Sequence, residues 1–371
     1  MKSPLVFLGV VGTHLRPRRT LVIILITLLG VLIFSFSRLV AFANLFQLFR
    51  PHAGTRITQL EIALEHNTTT PDPRTPVVPK IIHQIFHNWK DPRDNTLPAH
   101  WQAARDTCIK LNPDWEIKVR RPSGAKQKMR SAADAFPAIK LWTLEDSRTF
   151  IEDEYPWFLE TYDSYKFPIQ RIDVLRYFML RYYGGIYLDL DNGCAEKLDA
   201  LTYIPAFTTD GDRGTLSNNI MGGQPDHPYW HLLTENLIPY KWNWILPYVI
   251  ISYQSGQWFV TAIWEKYHSL LSSDGIVDGF DGNGYEPLHR VLMDGRPDTD
   301  PWVFFTQTRG GTWSNWDSNL FNWIGEHIVM IILGLFVLVG LAFWGCTVCI
   351  RRRNSRGYQA LPRAEMGEVA P

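Results

Sequence analysis

The stretch Pro168–Cys194, PIQRIDVLRYFMLRYYGGIYLDLDNGC, decides how this chain is read. Its first half has helical spacing: Ile172, Leu175, Met179 and Tyr182 recur at steps of three and four and share a face. Gly184-Gly185 ends the helix, since a left-handed residue there is least strained as glycine. Ile186-Tyr187-Leu188 then reads as a short buried strand, with Asp189 and Asp191 at its C-terminal end. In a continuing strand both carboxylates would point to the same side. Their repulsion is relieved by a divalent cation, and hard oxygen donors suit Mg2+ or Mn2+. Such an ion commonly takes phosphate oxygens as further ligands and serves as a Lewis acid for a diphosphate leaving group.

Upstream, Val78–Phe86 reads as a buried first strand, Pro98–Leu111 as a helix and Trp115–Val119 as a second strand. Alternating strands and helices predict an α/β domain. Residues 51–77 are polar, carry Pro71, Pro73 and Pro76, and read as the end of a stem over 38–77. No internal repeat is present. Lysine plus arginine balances aspartate plus glutamate over the 371 residues. That balance lacks the basic excess of a nucleic-acid-binding protein, so no nucleic acid is expected as a partner.

Both ends are apolar. No charge falls between Thr20 and Ser37, a run that as a helix would span about 27 Å against a hydrocarbon core of about 30 Å. Ile328–Ile350 is likewise free of charge. Arg16, Arg18 and Arg19 precede the first run, and Arg351, Arg352 and Arg353 follow the second. The positive-inside rule puts both clusters in the cytosol. The expectation is two transmembrane helices, 20–37 and 328–350, cytosolic tails 1–19 and 351–371, and a lumenal catalytic domain over 78–325. A cleaved signal peptide is the competing reading of the first run.

Cys108 and Cys194 are the two cysteines of the middle region, and their spacing fits either a disulfide or two buried thiols. Cys346 and Cys349 flank the end of the second apolar run, where such residues are more often inert or palmitoylated than metal-binding. Asn67-Thr68-Thr69 is an N-glycosylation sequon.

The pattern Arg171-x-Asp173-x-x-Arg176-Tyr177-x-x-Leu180-x-x-x-Gly184-Gly185-Ile186-Tyr187-x-Asp189-x-Asp191 resembles the sugar-binding region of family 32 glycosyltransferases, the group that includes the inositol phosphorylceramide mannosyltransferases. Pro79–Gln84 resembles the opening strand of that family. The resemblance runs over roughly residues 78–320 and implies a GT-A fold, a Rossmann-like mixed sheet. It further implies a nucleotide-sugar donor, a divalent metal and retention of anomeric configuration. By position, Asp189 and Asp191 match the metal-binding pair, one of them also reaching donor hydroxyls. Asp173 matches a residue on the donor ribose or sugar, and Arg176 an arginine near the diphosphate or the transferred sugar. An intrahelical Asp173–Arg176 pair is the plainer account of those two. Ile81 and His83 match the nucleobase pocket, and His83 equally suits a satisfied core histidine.

Three later segments resemble the family more loosely. Ser217-Asn218-Asn219 matches the loop after the metal strand, and Ser255-Gly256-Gln257 stands where relatives carry Thr-Gly-Pro near the acceptor. Gly310–Asp317 matches a Gly-Ser-Ser-Trp-His motif but places Ser314 or Asn315 where the histidine ligand belongs. Asn315, Asp317 or water would then supply the third metal ligand. The expected reaction transfers mannose from GDP-mannose to inositol phosphorylceramide, in the Golgi, beside a membrane-bound regulatory subunit. The run Trp242–Phe259 fits either a bilayer-surface segment or ordinary core helices. A mannosyltransferase extending protein N-glycans and an inactive carbohydrate-binding subunit are the alternative functions.

Overall fold

The computed structural model describes residues 50–66, 74–91, 93–115, 139–212, 214–241, 246–271, 286–308, 310 and 316–358, with residue 48 and pieces of 22–33. The sequon at Asn67, most of the expected strand Trp115–Val119, and Asn315 lie outside them. The chain forms two compact units: residues 1–243 with 249–310, and residues 244–248 with 311–371.

The first unit holds a seven-stranded sheet in the order β1-β8-β6-β7-β4-β2-β3. Its strands are β1 Thr55–Ile57, β2 Ile82–Ile85, β3 Ile139–Trp142, β4 Gly185–Leu188, β6 Ala206–Asp210, β7 Ser217–Gly223 and β8 His289–Leu292. Only β7 runs against the others. A separate antiparallel pair joins β5 Asn192–Cys194 to β9 Phe305–Gln307. The mixed, mostly parallel sheet is the kind that a GT-A fold requires.

Core lies on both faces of the sheet. Alternation along β4 sends Tyr187 into one apolar cluster and Ile186 and Leu188 into the other. The Tyr187 face is covered by α3 Leu144–Glu154, α4 Leu159–Asp163, α5 Pro168–Tyr183, α6 Pro228–Asn236 and α8 Gln257–Leu271. The other face packs against α1 Gln59–His66 and α2 Ala99–Leu111. The segment read as the end of a stem thus supplies an edge strand and a helix. Short α7, Pro247–Gln254, and α8 take up most of the run Trp242–Phe259. Val249, Ile250, Ile251, Trp258 and Phe259 are buried there, as ordinary core helices require.

The second unit contains α9 Trp316–Glu326 and α10 Ile328–Tyr358. Here the sequence expectation is corrected. Among the described residues no helix is long and apolar enough to cross a membrane. Helix α10 continues into Arg351, Arg352 and Arg353. The first apolar run is described only in pieces, at 22–23, 25–30 and 33. The two-span Golgi arrangement with flanking transmembrane helices is therefore set aside.

Candidate active site

Helix α5 starts on Pro168 at its first position, where proline loses no hydrogen bond, and the Gln170 side chain accepts from the Phe167 backbone N–H at 3.1 Å. The helix stops at Gly184, whose φ of 64° and the 92° of Gly185 fold the chain sharply into β4. A Cβ at Gly185 would stand 2.6 Å from the Ile81 carbonyl, the group that accepts from Ile186 N–H at 2.8 Å. Glycine is therefore required for α5 to deliver its inner face directly behind the end of β4.

That inner face carries Asp173, Arg176 and Tyr177, all buried. Arg176, 2% exposed, lies 3.0 Å from Asp173 Oδ1 and 3.3 Å from Asp189 Oδ1. It also donates to the Asn218 carbonyl and stacks over the Tyr187 ring at 4.5 Å. Asp173 is held from its other sides by the Asn218 amide at 3.0 Å and the Ser255 hydroxyl at 2.9 Å. Burial pushes Asp173 up to about 7 against the pull of Arg176. Arg176 stays charged, because Asp189, Tyr187 and Asp173 together outweigh its own burial.

Strand β4 ends at Leu188, so the two carboxylates are not aligned by strand alternation as the sequence suggests. Asp189 to Asp191 instead forms a turn closed by Asn192 N–H on the Asp189 carbonyl at 2.9 Å. The turn buries Leu190 and leaves Asp189 and Asp191 partly open. Asp189 is tied to the sheet by its N–H on the Asn219 carbonyl at 2.8 Å. Its Oδ1 accepts from the Tyr187 hydroxyl as well as facing Arg176. Among the described residues Oδ2 has no hydrogen-bond partner. Asp191 is raised to about 6, by burial first and by the charge of Asp189 second.

Other expected residues fall as follows. His83 Nε2 meets the Gly184 carbonyl at 2.9 Å and Nδ1 accepts from Trp142 Nε1 at 3.4 Å, the bonding of a satisfied core histidine. Ile81 is buried beside it. Gly310 packs against Asp191 so closely that a Cβ there would overlap the carboxylate. Asp317 belongs to the second unit, is buried, and accepts from Tyr248 N–H at 2.6 Å. Cys108 and Cys194 are bonded to each other. The sequence reading missed Tyr187, although its place two residues before Asp189 puts both on one side. It also missed Asn192, whose Oδ1 accepts from the Asn219 amide at 3.3 Å.

The donor set can be tested against a metal. Two carboxylates stand on a partly open turn, and the charge of Asp189 adds to burial in raising Asp191. That suits a hard divalent ion. Among the described residues no group of three or more His, Cys, Asp and Glu is placed to hold one. The remaining positions would fall to donor oxygens and water.

Residues 98–207 match the family described as glycosyltransferase sugar-binding region containing DXD motif. Mannosyl phosphorylinositol ceramide synthase CSH1 of Saccharomyces cerevisiae is 33% identical, over 79% of this chain and 69% of its own. The chain belongs to this glycosyltransferase family. Two Schizosaccharomyces pombe members of the family are similar to it as well. Inositol phosphoceramide mannosyltransferase 3 is 39% identical over 79% of this chain and 73% of its own. Inositol phosphoceramide mannosyltransferase 2 is 36% identical over 71% of this chain and 66% of its own. Among solved structures, the PaToxG glycosyltransferase is 16% identical and covers 54% of this chain and 74% of its own, with a TM-score of 0.35. That score is too low to carry a fold argument.

Proposed function

We propose that this glycosyltransferase moves mannose from GDP-mannose to inositol phosphorylceramide with retention of configuration, in sphingolipid synthesis. The observation that carries the reading is the Asp189–Asp191 turn, backed by buried Arg176 and Asp173, at the carboxyl edge of a mostly parallel sheet. Crevices at that edge are where α/β sheets take ligands. The names of the curated relatives support the mannosyl donor group and the lipid acceptor. A regulatory subunit is part of the proposal.

Asp189 and Asp191 would hold a divalent ion, Mn2+ or Mg2+, and its chemistry there would be positive charge beside the diphosphate. Tyr187 and Arg176 fix Asp189 through Oδ1, which leaves Oδ2 to serve the ion. Arg176 therefore acts largely through Asp189, and Asp173 sets the charge balance around it. An acceptor hydroxyl forms the new bond to the sugar C1 as the C1–O bond to the diphosphate breaks. The diphosphate keeps the electron pair, and its freed oxygen takes the hydroxyl proton. Attack on the face that the diphosphate leaves gives retention.

Purified protein given GDP-mannose with labelled sugar, Mn2+ and inositol phosphorylceramide in detergent should yield labelled glycolipid. Asp189→Asn/Asp191→Asn should fold and yield none. Transfer by that double variant at the ordinary rate would refute the site, and transfer only to N-glycan acceptors would refute the lipid assignment.

A further inference from the structure

Past Asp189 the chain leaves the main sheet, and Asp191 is held from elsewhere. Its carbonyl accepts from Thr308 N–H at 2.7 Å and from the Thr308 hydroxyl at 3.0 Å. Thr308 follows directly on β9, which pairs with β5, the strand that begins immediately after Asp191. Strands of three residues have little stability of their own. One side-chain bond, Asn219 to Asn192, ties this pair to the main sheet near the turn.

The other anchor is the C-terminal half of α2. Cys194 is bonded to Cys108, and its N–H donates to the Thr107 hydroxyl at 2.8 Å. Between them Gly193 lies flat on the helix: a Cβ there would meet Thr306 Oγ1 at 2.7 Å, Thr107 Oγ1 at 2.9 Å and the Ala104 carbonyl at 3.2 Å. One turn on, Asn112 closes the helix end on the Cys108 carbonyl and accepts from Leu198 N–H at 2.9 Å. Helix, disulfide and miniature sheet thus form a continuous path from α2 to the backbone of Asp191.

We propose that β5 and β9 act as a clip that positions the Asp191 carboxylate for a divalent cation, with α2 as its fixed end through Thr107, Gly193 and the Cys108–Cys194 disulfide. This rests on the metal-binding reading of Asp189 and Asp191. These are positioning residues: none of them touches the ion, and each acts through the backbone that follows Asp191. Neighbours that orient a ligand typically change metal affinity by about 10–100-fold when altered.

The test uses the whole protein and Mn2+ alone, with free Mn2+ read by electron paramagnetic resonance and amide exchange read over residues 192–194 and 306–308. Thr107→Val keeps the disulfide, Gly193→Ala wedges the clip away from the helix, and Cys108→Ser/Cys194→Ser removes the bridge. Each should weaken Mn2+ binding by roughly tenfold or more and speed exchange in both segments, while the thermal midpoint of Thr107→Val moves little. If the paired serine variant does not fold, the other two carry the test. Binding within about twofold of the unaltered protein in Thr107→Val and Gly193→Ala would overturn the clip. Should the unaltered protein bind no Mn2+, the metal reading falls. That result overturns the clip as well, since it would have no cation to position, whereas Mn2+ binding by the unaltered protein with no loss in the variants overturns the clip alone.

Discussion

Removing the Arg176 charge tests how the site is built. Arg176→Met keeps the length and apolar stem of the side chain but leaves Asp173 and Asp189 facing each other with no cation. Breaking a buried ion pair from one side costs about 3–5 kcal/mol, because the remaining charge stays uncompensated. Solvent screening takes little from that figure at Arg176 and Asp173, whose side chains are 2% and 6% exposed. Asp189 is different, since its side chain is 32% exposed and recovers hydration by itself. Most of the loss is therefore traceable to Asp173. Asp173→Asn alone should cost about 1 kcal/mol, the worth of an ordinary hydrogen-bond rearrangement, and Arg176→Met/Asp173→Asn should recover about 2 kcal/mol of the single-variant loss. Urea denaturation of the four proteins near neutral pH gives these differences directly. The pH dependence has a fixed sign. Asp173 already has a folded value raised to about 7, so its protonation stabilises the fold. That contribution is complete below its unfolded value and lost as pH rises through the folded one. Without Arg176 the folded value climbs further, so the deficit of Arg176→Met should be largest in alkali, shrink as pH falls towards about 7, and change little below that. The account is refuted if Arg176→Met lies within about 1 kcal/mol of the unaltered protein, or if the double variant is no more stable than the single.

Three further outcomes are expected. Gly310→Ala should lower kcat/KM by on the order of 100-fold while leaving the fold intact, because the new methyl must displace the Asp191 carboxylate by about 1 Å. Steady-state kinetics and circular dichroism check it, and unchanged kinetics would show that Asp191 has no fixed place. Mn2+ affinity should be flat above the value of about 6 to which Asp191 is raised and should fall by roughly tenfold per pH unit below it, as a proton competes for the carboxylate. Titrations across that range read it, and an affinity indifferent to acid would remove Asp191 from the ligands. His52 donates from Nδ1 to Glu265 at 2.9 Å and from Nε2 to the Gly214 carbonyl at 2.7 Å, a pairing that requires the charged ring. Burial alone would lower its pKa, but those bonds win and raise it above its ordinary 6.5. Its stabilisation is present below that ordinary value and lost as pH rises through the raised one, so thermal midpoints should decline over that window and His52→Gln should abolish the decline.

What the sequence makes legible is what is local. Helix α5, its Gly184-Gly185 stop and β4 sit in one unbroken stretch, and their periods of 3.6 and 2 show within it. Thr55–Ile57 is only three residues long, too short for alternation to register, so β1 and the α1 that follows it read as stem. The turn at Asp189–Asp191 escaped for a related reason. Nothing before it marks the end of β4, and what stops the strand is the Asn192 N–H closing back on Asp189. The apolar ends show the opposite failure, in which a strong hydropathy pattern outran the helices present among the described residues.

The site was half legible because its partners are far apart in sequence. Asn218 and Ser255 reach Asp173 from 45 and 82 residues away, and no local pattern announces such contacts. The sequence left two accounts of Asp173 and Arg176, an intrahelical ion pair or a part of the donor pocket, and the geometry shows the first. The pair does form within α5, three residues apart, and the same guanidinium extends to Asp189 at the end of β4. A helix that offered only Arg176 would leave Asp189 as its one counter-charge, and one that offered only Asp173 would place a second anion behind the first. Offering both lets Arg176 hold Asp189 in place while Asp173 absorbs the excess charge. The joint fixed by Gly184-Gly185 is what brings that helix face within reach of the turn. On this argument, lengthening the joint by one residue should separate Arg176 from Asp189 and abolish transfer while leaving the Asp173–Arg176 pair intact.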